Sequence, residues 1–304
     1  MDVLMRGVRG SIATPTPETS LYGGNTACLE VRADNGQGLF LDAGTGLRGA
    51  WPNPPSSGEA HVFLTHGHAD HIVGLWFFQP LHMPGWTTYL YLPEWLMLLP
   101  DFFCQCGFFP VPFDQLKGRV IRCPIKAGDS LTLSSGVAVE AFAAQHPGGC
   151  LGYRATADGS VLVYTGDYEI LPGEGAKKAA ENILRGADLA VVDAQYNSAD
   201  YQPGFGHSAW EDWLEAAAQA GVKRLVLTHH DPNRSDHELG LLEKSLLELT
   251  GGHDLKVQVA HDGLRLILGA AGPRGPADPK QPLSQYSYRS MYRLGFKPGT
   301  IKTS

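Results

Sequence analysis

Residues 65–71 read Thr-His-Gly-His-Ala-Asp-His and follow directly on the apolar run Val62-Phe63-Leu64. Three imidazoles and a carboxylate packed this closely are poor core material and good metal ligands. In extended chain His66 and His68 point the same way, and where the chain turns into a helix Asp70 and His71 come up beside them. Two adjacent ligand sets result. Imidazole nitrogen and carboxylate oxygen suit zinc, manganese, iron or nickel, and a catalytic ion keeps one position open for water. The plain alternative, four solvated polar residues in a loop, fits poorly with so compact a group at the end of an apolar strand.

Three more candidates lie downstream, each just past a strand-like run. His146 follows the alternating stretch 137–144 and precedes the turn Pro147-Gly148-Gly149. Asp167 closes the phrase Tyr-Thr-Gly-Asp after 161–163, and His229 stands in Leu-Thr-His-His-Asp after 222–226. Strand ends on a rigid sheet are where function gathers. With these positions filled, the run His66-x-His68-x-Asp70-His71 resembles the signature of the metallo-β-lactamase superfamily.

That resemblance implies a four-layer αββα sandwich and two divalent metal ions, zinc foremost, with manganese, iron or nickel as other occupants. His66, His68 and His146 would hold the first ion, Asp70, His71 and His229 the second, with Asp167 bridging; Asp70 also counts among the reacting groups. His230 neighbours the expected ligand, but a one-residue step along a strand end reverses side-chain direction, so one of the pair should face the metals. His229 occupies the family position after Leu-Thr. Asp42, in Leu-Asp-Ala-Gly-Thr-Gly, resembles the family's strand-end aspartate, which implies support of the ligand loop by hydrogen bonds. Asp231 is placed to fix His229 or His230. His61, His82, His237, His253 and His261 lack ligand spacing and read as structural or exposed.

Positioning these residues requires two groups of strands with helices between. Strands are expected at 2–7, 26–33, 37–42, 61–65, 88–92, 119–123, 129–133, 137–144, 150–156, 160–165, 188–193, 222–228, 256–260 and 264–267. Helices are expected near 70–79, 176–185, 209–220 and 236–249, giving a layered α/β architecture. Ser208-Ala-Trp-Glu211 and Ser235-Asp-His-Glu238 match the Ser-x-x-Glu capping box, with Gly221 and Gly251 as stops. Leu239, Leu242, Leu246 and Leu249 make a helical buried stripe.

His207 precedes the first capping box, which puts its ring near a helix N-terminus, where the dipole disfavours the imidazolium. Gly206-His207-Ser208 before a helix resembles the phosphodiesterase, tRNase Z-like branch of the superfamily. There a histidine acts near the scissile phosphate, paired with an acidic residue at the end of the strand after the bridging aspartate. Here that residue is Asp193, and the pair would raise the ring's pKa towards one useful for proton donation. The implied reaction is hydrolysis of a phosphodiester by a metal-bridging hydroxide, with His207 protonating the departing oxygen or contacting the phosphoryl group. Ester, thioester and lactone hydrolases share the seven ligands and form the first alternative. A non-catalytic metal protein that binds a metabolite is the second.

Only 21 steps separate His146 from Asp167, spanned by a short strand pair around Asp158-Gly159, so the tRNA-grasping arm of tRNase Z has no room there. The expected substrate is a small phosphodiester or cyclic nucleotide. Between residues 74 and 113 lie 12 of the chain's 29 aromatic residues. This segment reads as a lid with Trp76, Phe77 and Phe78 nearest the ligands, or equally as a core cap or homodimer surface.

At 304 residues and 43% hydrophobic content the chain can bury a large core, and its net charge of −7 disfavours generic nucleic-acid binding. No composition shift inside 1–268 marks a linker. A metallo-β-lactamase-fold domain is therefore expected at 1–268, followed by a basic Pro/Gly-containing tail at 269–304 with six basic residues against Asp278. The start Met-Asp-Val-Leu-Met-Arg-Gly has no apolar signal region and no run of about 18 apolar residues occurs, so a cytoplasmic enzyme is expected. The five cysteines are scattered and form no disulfide framework; Cys104-Gln-Cys106 lacks a second pair and reads as incidental thiols.

Overall fold

Short apolar runs rich in Val, Leu and Tyr become strands, and the most continuous of them become parallel strands covered on both faces. The computed structural model describes residues 1–269 apart from 35, 37, 110 and 251–253. Among these residues fourteen strands form two sheets of seven. The first sheet has the order β14-β1-β2-β3-β4-β5-β6. Its strands are β1 (Asp2–Gly7), β2 (Cys28–Arg32), β3 (Gly38–Leu41), β4 (Gly58–Phe63), β5 (Trp86–Pro93), β6 (Arg119–Ile125) and β14 (Arg265–Ile267). The second, β13-β12-β11-β10-β9-β8-β7, contains β7 (Ser130–Thr132), β8 (Ala138–Ala144), β9 (Cys150–Ala157), β10 (Ser160–Tyr164), β11 (Leu189–Asp193), β12 (Arg224–Thr228) and β13 (Lys256–Val259). Strands β3 to β6 run parallel, as do β10 to β13.

Three apolar clusters define four layers. Val3, Leu39, Phe63, Tyr153, Leu162 and Val226 fill the space between the sheets. Val163, Val192 and Leu227 face the other way, against Trp213 and Leu246, which belong to α4 (Trp210–Ala220) and α5 (Asp236–Thr250); α3 (Glu174–Leu184) adds Leu184 to that layer. On the outer face of the first sheet, Phe40, Val62 and Leu90 pack under Ile72 of α1 (Ala69–Ile72) and under Trp76 and Phe78. This is the αββα sandwich. Residues 1–269 form one compact unit, and the tail from 270 lies outside the described residues.

All fourteen expected strands are present within a few residues. The helix expected at 70–79 is not: α1 stops at Ile72, and 3-10 turns at Leu75–Phe77 and Gln79–His82 continue the path. The break falls at Gly74, whose amide donates to the Ala43 carbonyl at 2.8 Å instead of to the carbonyl four residues back. A further helix, α2 (Leu99–Gln105), forms inside the aromatic segment. Trp76 and Phe78 are core rather than lid, with Phe78 edge-on to Phe40 at 5.3 Å, and only Phe77 of the three is exposed.

One capping box forms and one does not. Ser235 and Glu238 exchange hydrogen bonds at 2.7 and 3.3 Å ahead of α5. Ser208 instead donates its hydroxyl to the Tyr168 carbonyl and accepts from the Ile170 amide, while Glu211 receives the Ser198 amide, so α4 starts at Trp210 without a side-chain cap. Gly221 ends α4 in the left-handed conformation, as a C-cap glycine should. Gly251 lies outside the described residues. Leu239 and Leu246 are buried and Leu242 packs against them, but Leu249 is exposed. Cys28 and Cys150 are buried thiols, Cys123 is half-buried and Cys106 exposed, all four free. No helix among the described residues is long and apolar enough to cross a membrane.

Candidate metal centre

The carboxyl ends of the parallel strands open at one edge of the sandwich, the place where α/β sheets leave room for a ligand. Asp42 follows β3, the 65–71 loop follows β4, His146 follows β8, and Asp167 follows β10. Asp193 ends β11, and His229 follows β12. Register does the fine placement: Asp193 pairs with Thr228 across β11 and β12, which sets His229 beside it. Two bonds join the sheets under the site, from the Leu151 amide to the Thr65 carbonyl (2.9 Å) and from the Tyr153 hydroxyl to the Leu64 carbonyl (2.6 Å).

All seven expected ligands converge. His66, His68, His146 and Asp167 present one donor atom each within 4.8 Å of one another, and so do Asp70, His71 and His229. Asp167 spans both sets. Its Oδ2 lies 3.4 Å from His66 Nε2 and 3.9 Å from His146 Nε2, and its Oδ1 lies 3.1 Å from His71 Nε2 and 3.2 Å from His229 Nε2. His230 turns away and bonds the Ala260 carbonyl through Nε2, so the strand-end reversal operates as expected, helped by a left-handed φ of 58° at His229. Asp231 accepts the Asn233 amide and fixes neither histidine.

Behind the donors lies a second layer of contacts. Asp42 takes Thr65 N–H at 2.8 Å, His71 Nδ1 at 2.8 Å and the Tyr164 hydroxyl at 2.8 Å, from a backbone at φ 64°. Thr65 Oγ1 lies 2.9 Å from His66 Nδ1, and His146 Nδ1 lies 2.8 Å from the Gly206 carbonyl. Gly206 must be glycine, since a Cβ would fall 2.2 Å from the His146 ring. Its amide is held by buried Glu169, which also receives the Gly204 amide and the Tyr201 hydroxyl. Tyr164, Glu169, Thr65 and Cys150, whose Sγ lies 3.7 Å from His66 Nδ1, escaped sequence reading because none carries ligand spacing. Only their nearness in sequence to the ligands hinted at them.

The donor set fits metal ions. His68 Nδ1 and His146 Nε2 face each other at 3.2 Å, and His71 Nε2 and His229 Nε2 at 3.3 Å. Two imidazole nitrogens on one tetrahedral zinc stand about 3.3 Å apart, given Zn–N bonds of about 2.0–2.1 Å. His66 Nε2 is buried without a hydrogen-bond partner, a state that coordination relieves. Burial and then the neighbouring His71 push His66 down, and burial and then His146 push His68 down, towards the neutral ligand form. Burial pushes Asp167 and Asp70 up, but the surrounding histidines outweigh it and hold both carboxyls below their usual range. Burial opposes protonation of His71, yet Asp167, Asp70 and Asp42 raise its pKa well above normal. The carboxylates are thus held ionised and His66 and His68 neutral, the protonation states in which such side chains bind metal.

His207 and Asp193 sit at the rim of the same cluster. Nδ1 of His207 lies 2.8 Å from Asp193 Oδ2, and its ring stands 4.8 Å from that of His229 and 5.4 Å from that of His146. Asp193 is fixed by the Tyr168 and Gln195 amides. Burial lowers the pKa of His207, but the charge and hydrogen bond of Asp193 win and raise it to about 9. The expected dipole effect is therefore overridden, and α4 begins three residues beyond the ring. A cavity of about 280 Å³ opens here, lined by Ser11, His68, Asp70, Asp167, His207 and His229 among others. His61, His82 and His261 bond elsewhere, and His237 is exposed. His253 lies outside the described residues.

Comparison with known proteins places this architecture. An uncharacterized protein of Mycobacterium leprae is 28% identical over 249 residues, covering 76% of this chain and 78% of its own. The ribonuclease Z of Halobacterium salinarum is 25% identical over 332 residues, covering 87% and 96%. The crystal structure of the metallo-β-lactamase fold protein YhfI from Bacillus subtilis superposes with a TM-score of 0.66 at 18% identity, over 87% of this chain and 98% of that one. Residues 39–230, well over half of the chain, match the beta-lactamase superfamily domain, and the protein belongs to that superfamily, built on the metallo-β-lactamase fold.

Proposed function

We propose that the protein is a metal-dependent hydrolase of small phosphodiesters, with a cyclic nucleotide as the favoured substrate type. The observation that carries this reading is the 2.8 Å pair between His207 and Asp193 beside both ligand sets. Similarity to a ribonuclease Z supports the phosphodiester class. His66, His68 and His146 would hold one divalent ion and Asp70, His71 and His229 the other, with one oxygen of Asp167 towards each; zinc suits this nitrogen-rich set best. Bound there, the ions supply Lewis acidity and an activated water at neutral pH.

The chain's own residues do the rest. Asp193 holds His207 with Nδ1 occupied, which leaves Nε2 as the proton-carrying edge. With its proton affinity raised by Asp193, that edge can pass a proton to the departing oxygen or donate to a phosphoryl oxygen. The cavity of about 280 Å³ suits a small substrate, and the interval between His146 and Asp167 contains only β9, β10 and their connections, which argues against a nucleic-acid partner. The test is a parallel assay of the zinc-loaded chain with bis(p-nitrophenyl) phosphate, cyclic nucleotides, lactones and thioesters. Turnover of phosphodiesters is expected. Turnover confined to lactones or thioesters, or tight metabolite retention without turnover, would overturn the proposal.

A further inference from the structure

Ser11 is the residue of this site that neither the ligand pattern nor the acid pair accounts for. It lies on the loop after β1, in left-handed backbone at φ 62°. Serine gains nothing intrinsically from that conformation, and strain of this kind persists where the surroundings over-determine it. The surroundings here are the metal centre. The Ser11 amide donates to Asp70 Oδ2 at 2.7 Å. Gly10 before it packs on His229 so closely that a Cβ would fall 2.4 Å from the ring, and the Gly10 amide bonds the His230 carbonyl at 3.0 Å. The loop is thus clamped to the second ligand set at both residues, and the clamp leaves the Ser11 side chain exposed at the cavity wall.

Elimination gives that side chain a task. His68, Asp70, Asp167 and His229 face the proposed ions, and Ala69 offers only a methyl group. Ser11 and His207 remain as lining side chains with a hydrogen to donate. The Ser11 hydroxyl has one partner, Gln195 Oε1, at 3.5 Å, far beyond the usual length for such a bond and easily given up. Each non-bridging oxygen of a phosphodiester carries more lone pairs than one cation uses, so an oxygen held at an ion can also accept a hydrogen bond. We infer that Ser11 is a substrate-contacting residue whose hydroxyl donates a hydrogen bond to a non-bridging phosphoryl oxygen. This rests on the phosphodiester reading above and adds to it the group that orients the phosphoryl centre against His207.

The experiment titrates inorganic phosphate into the zinc-loaded full chain by calorimetry, for wild type, Ser11→Ala, Ser11→Gly and Ser11→Thr, alongside zinc content and Tm. Ser11→Ala and Ser11→Gly should bind phosphate about tenfold more weakly, the loss of one hydrogen bond to a charged acceptor, with zinc content unchanged because the amide to Asp70 survives. Ser11→Gly should keep or raise Tm, since glycine is at ease at positive φ. Ser11→Thr should bind phosphate like wild type while lowering Tm, because a β-branched residue is ill suited to that backbone. Equal phosphate affinity in wild type, Ser11→Ala and Ser11→Gly would overturn the role of Ser11, as would absence of phosphate binding in all of them. Failure of the wild-type chain to cleave any phosphodiester, with the Ser11 dependence of phosphate binding intact, would count against the proposed reaction instead.

Discussion

The two ligand sets are built from similar side chains but are backed differently. In the first, His66 leans on the Thr65 hydroxyl, His146 on the Gly206 carbonyl, and His68 is exposed at the mouth. In the second, His71 leans on the Asp42 carboxylate, His229 Nδ1 stands 3.7 Å from the Asp193 carboxylate, and Asp70 takes the Ser11 amide. A carboxylate behind an imidazole strengthens its bond to a cation more than a neutral oxygen does. The second set should therefore fill first and hold its ion more tightly. A stepwise zinc titration of the metal-free chain should show two unequal sites, and two equal ones would break the distinction.

Substitutions sharpen it, the largest effect first. Asp167→Ala removes the group shared by both sets, so zinc content measured by elemental analysis should fall at both sites and phosphodiester turnover should vanish with it. His207→Ala should lower kcat by about 10²- to 10⁴-fold with both ions retained; loss of metal along with activity would remove the proton-donor role. Asp42→Asn should weaken the tighter site by about 10- to 100-fold, because the amide would present its nitrogen to His71 or lose the bond. Thr65→Val should weaken the looser site by only about fivefold through the lost bond to His66, an effect to be read at that site because the same hydroxyl also donates to Asp42. If the Thr65 substitution costs as much as the Asp42 one, backing charge is not what separates the sets.

The pair at the rim offers a further check through pH. In the metal-free chain His207 has a folded-state pKa of about 9, above its ordinary 6.5. The folded protein therefore binds this proton more strongly than the unfolded one. The resulting stabilisation, about 3 kcal/mol at most, is complete below pH 6.5 and fades as pH rises through 9. Chemical denaturation of the metal-free protein at pH 6, 8 and 10 should show this decline, and Asp193→Asn should flatten it.

Strand positions were legible in the sequence because each is an apolar run bounded by turn residues, and the ligands because they end those runs. His229 could be preferred over His230 because strand alternation is a strict period of two. The helix at 70–79 misled because its apolar spacing is real, while the competitor, the Ala43 carbonyl that takes the Gly74 amide, is a contact between residues distant in sequence. Ser208 has the spacing of a cap, but its hydroxyl finds the Tyr168 carbonyl, a tertiary competitor invisible locally. Ser11 and Glu169 were illegible for a related reason: what places them, the Ser11 amide on Asp70 and the Gly204 and Gly206 amides on Glu169, joins residues far apart in the sequence.

The bonds from Leu151 to Thr65 and from Tyr153 to Leu64 have one more consequence. Four of the proposed ligands hang from one sheet and three from the other, so the ions would rivet the halves of the sandwich together from the rim. Cation retention then becomes a gauge of how firmly the halves are closed. Damage at buried Tyr153, which never meets solvent or substrate, should announce itself as leakage of zinc well before the chain unravels.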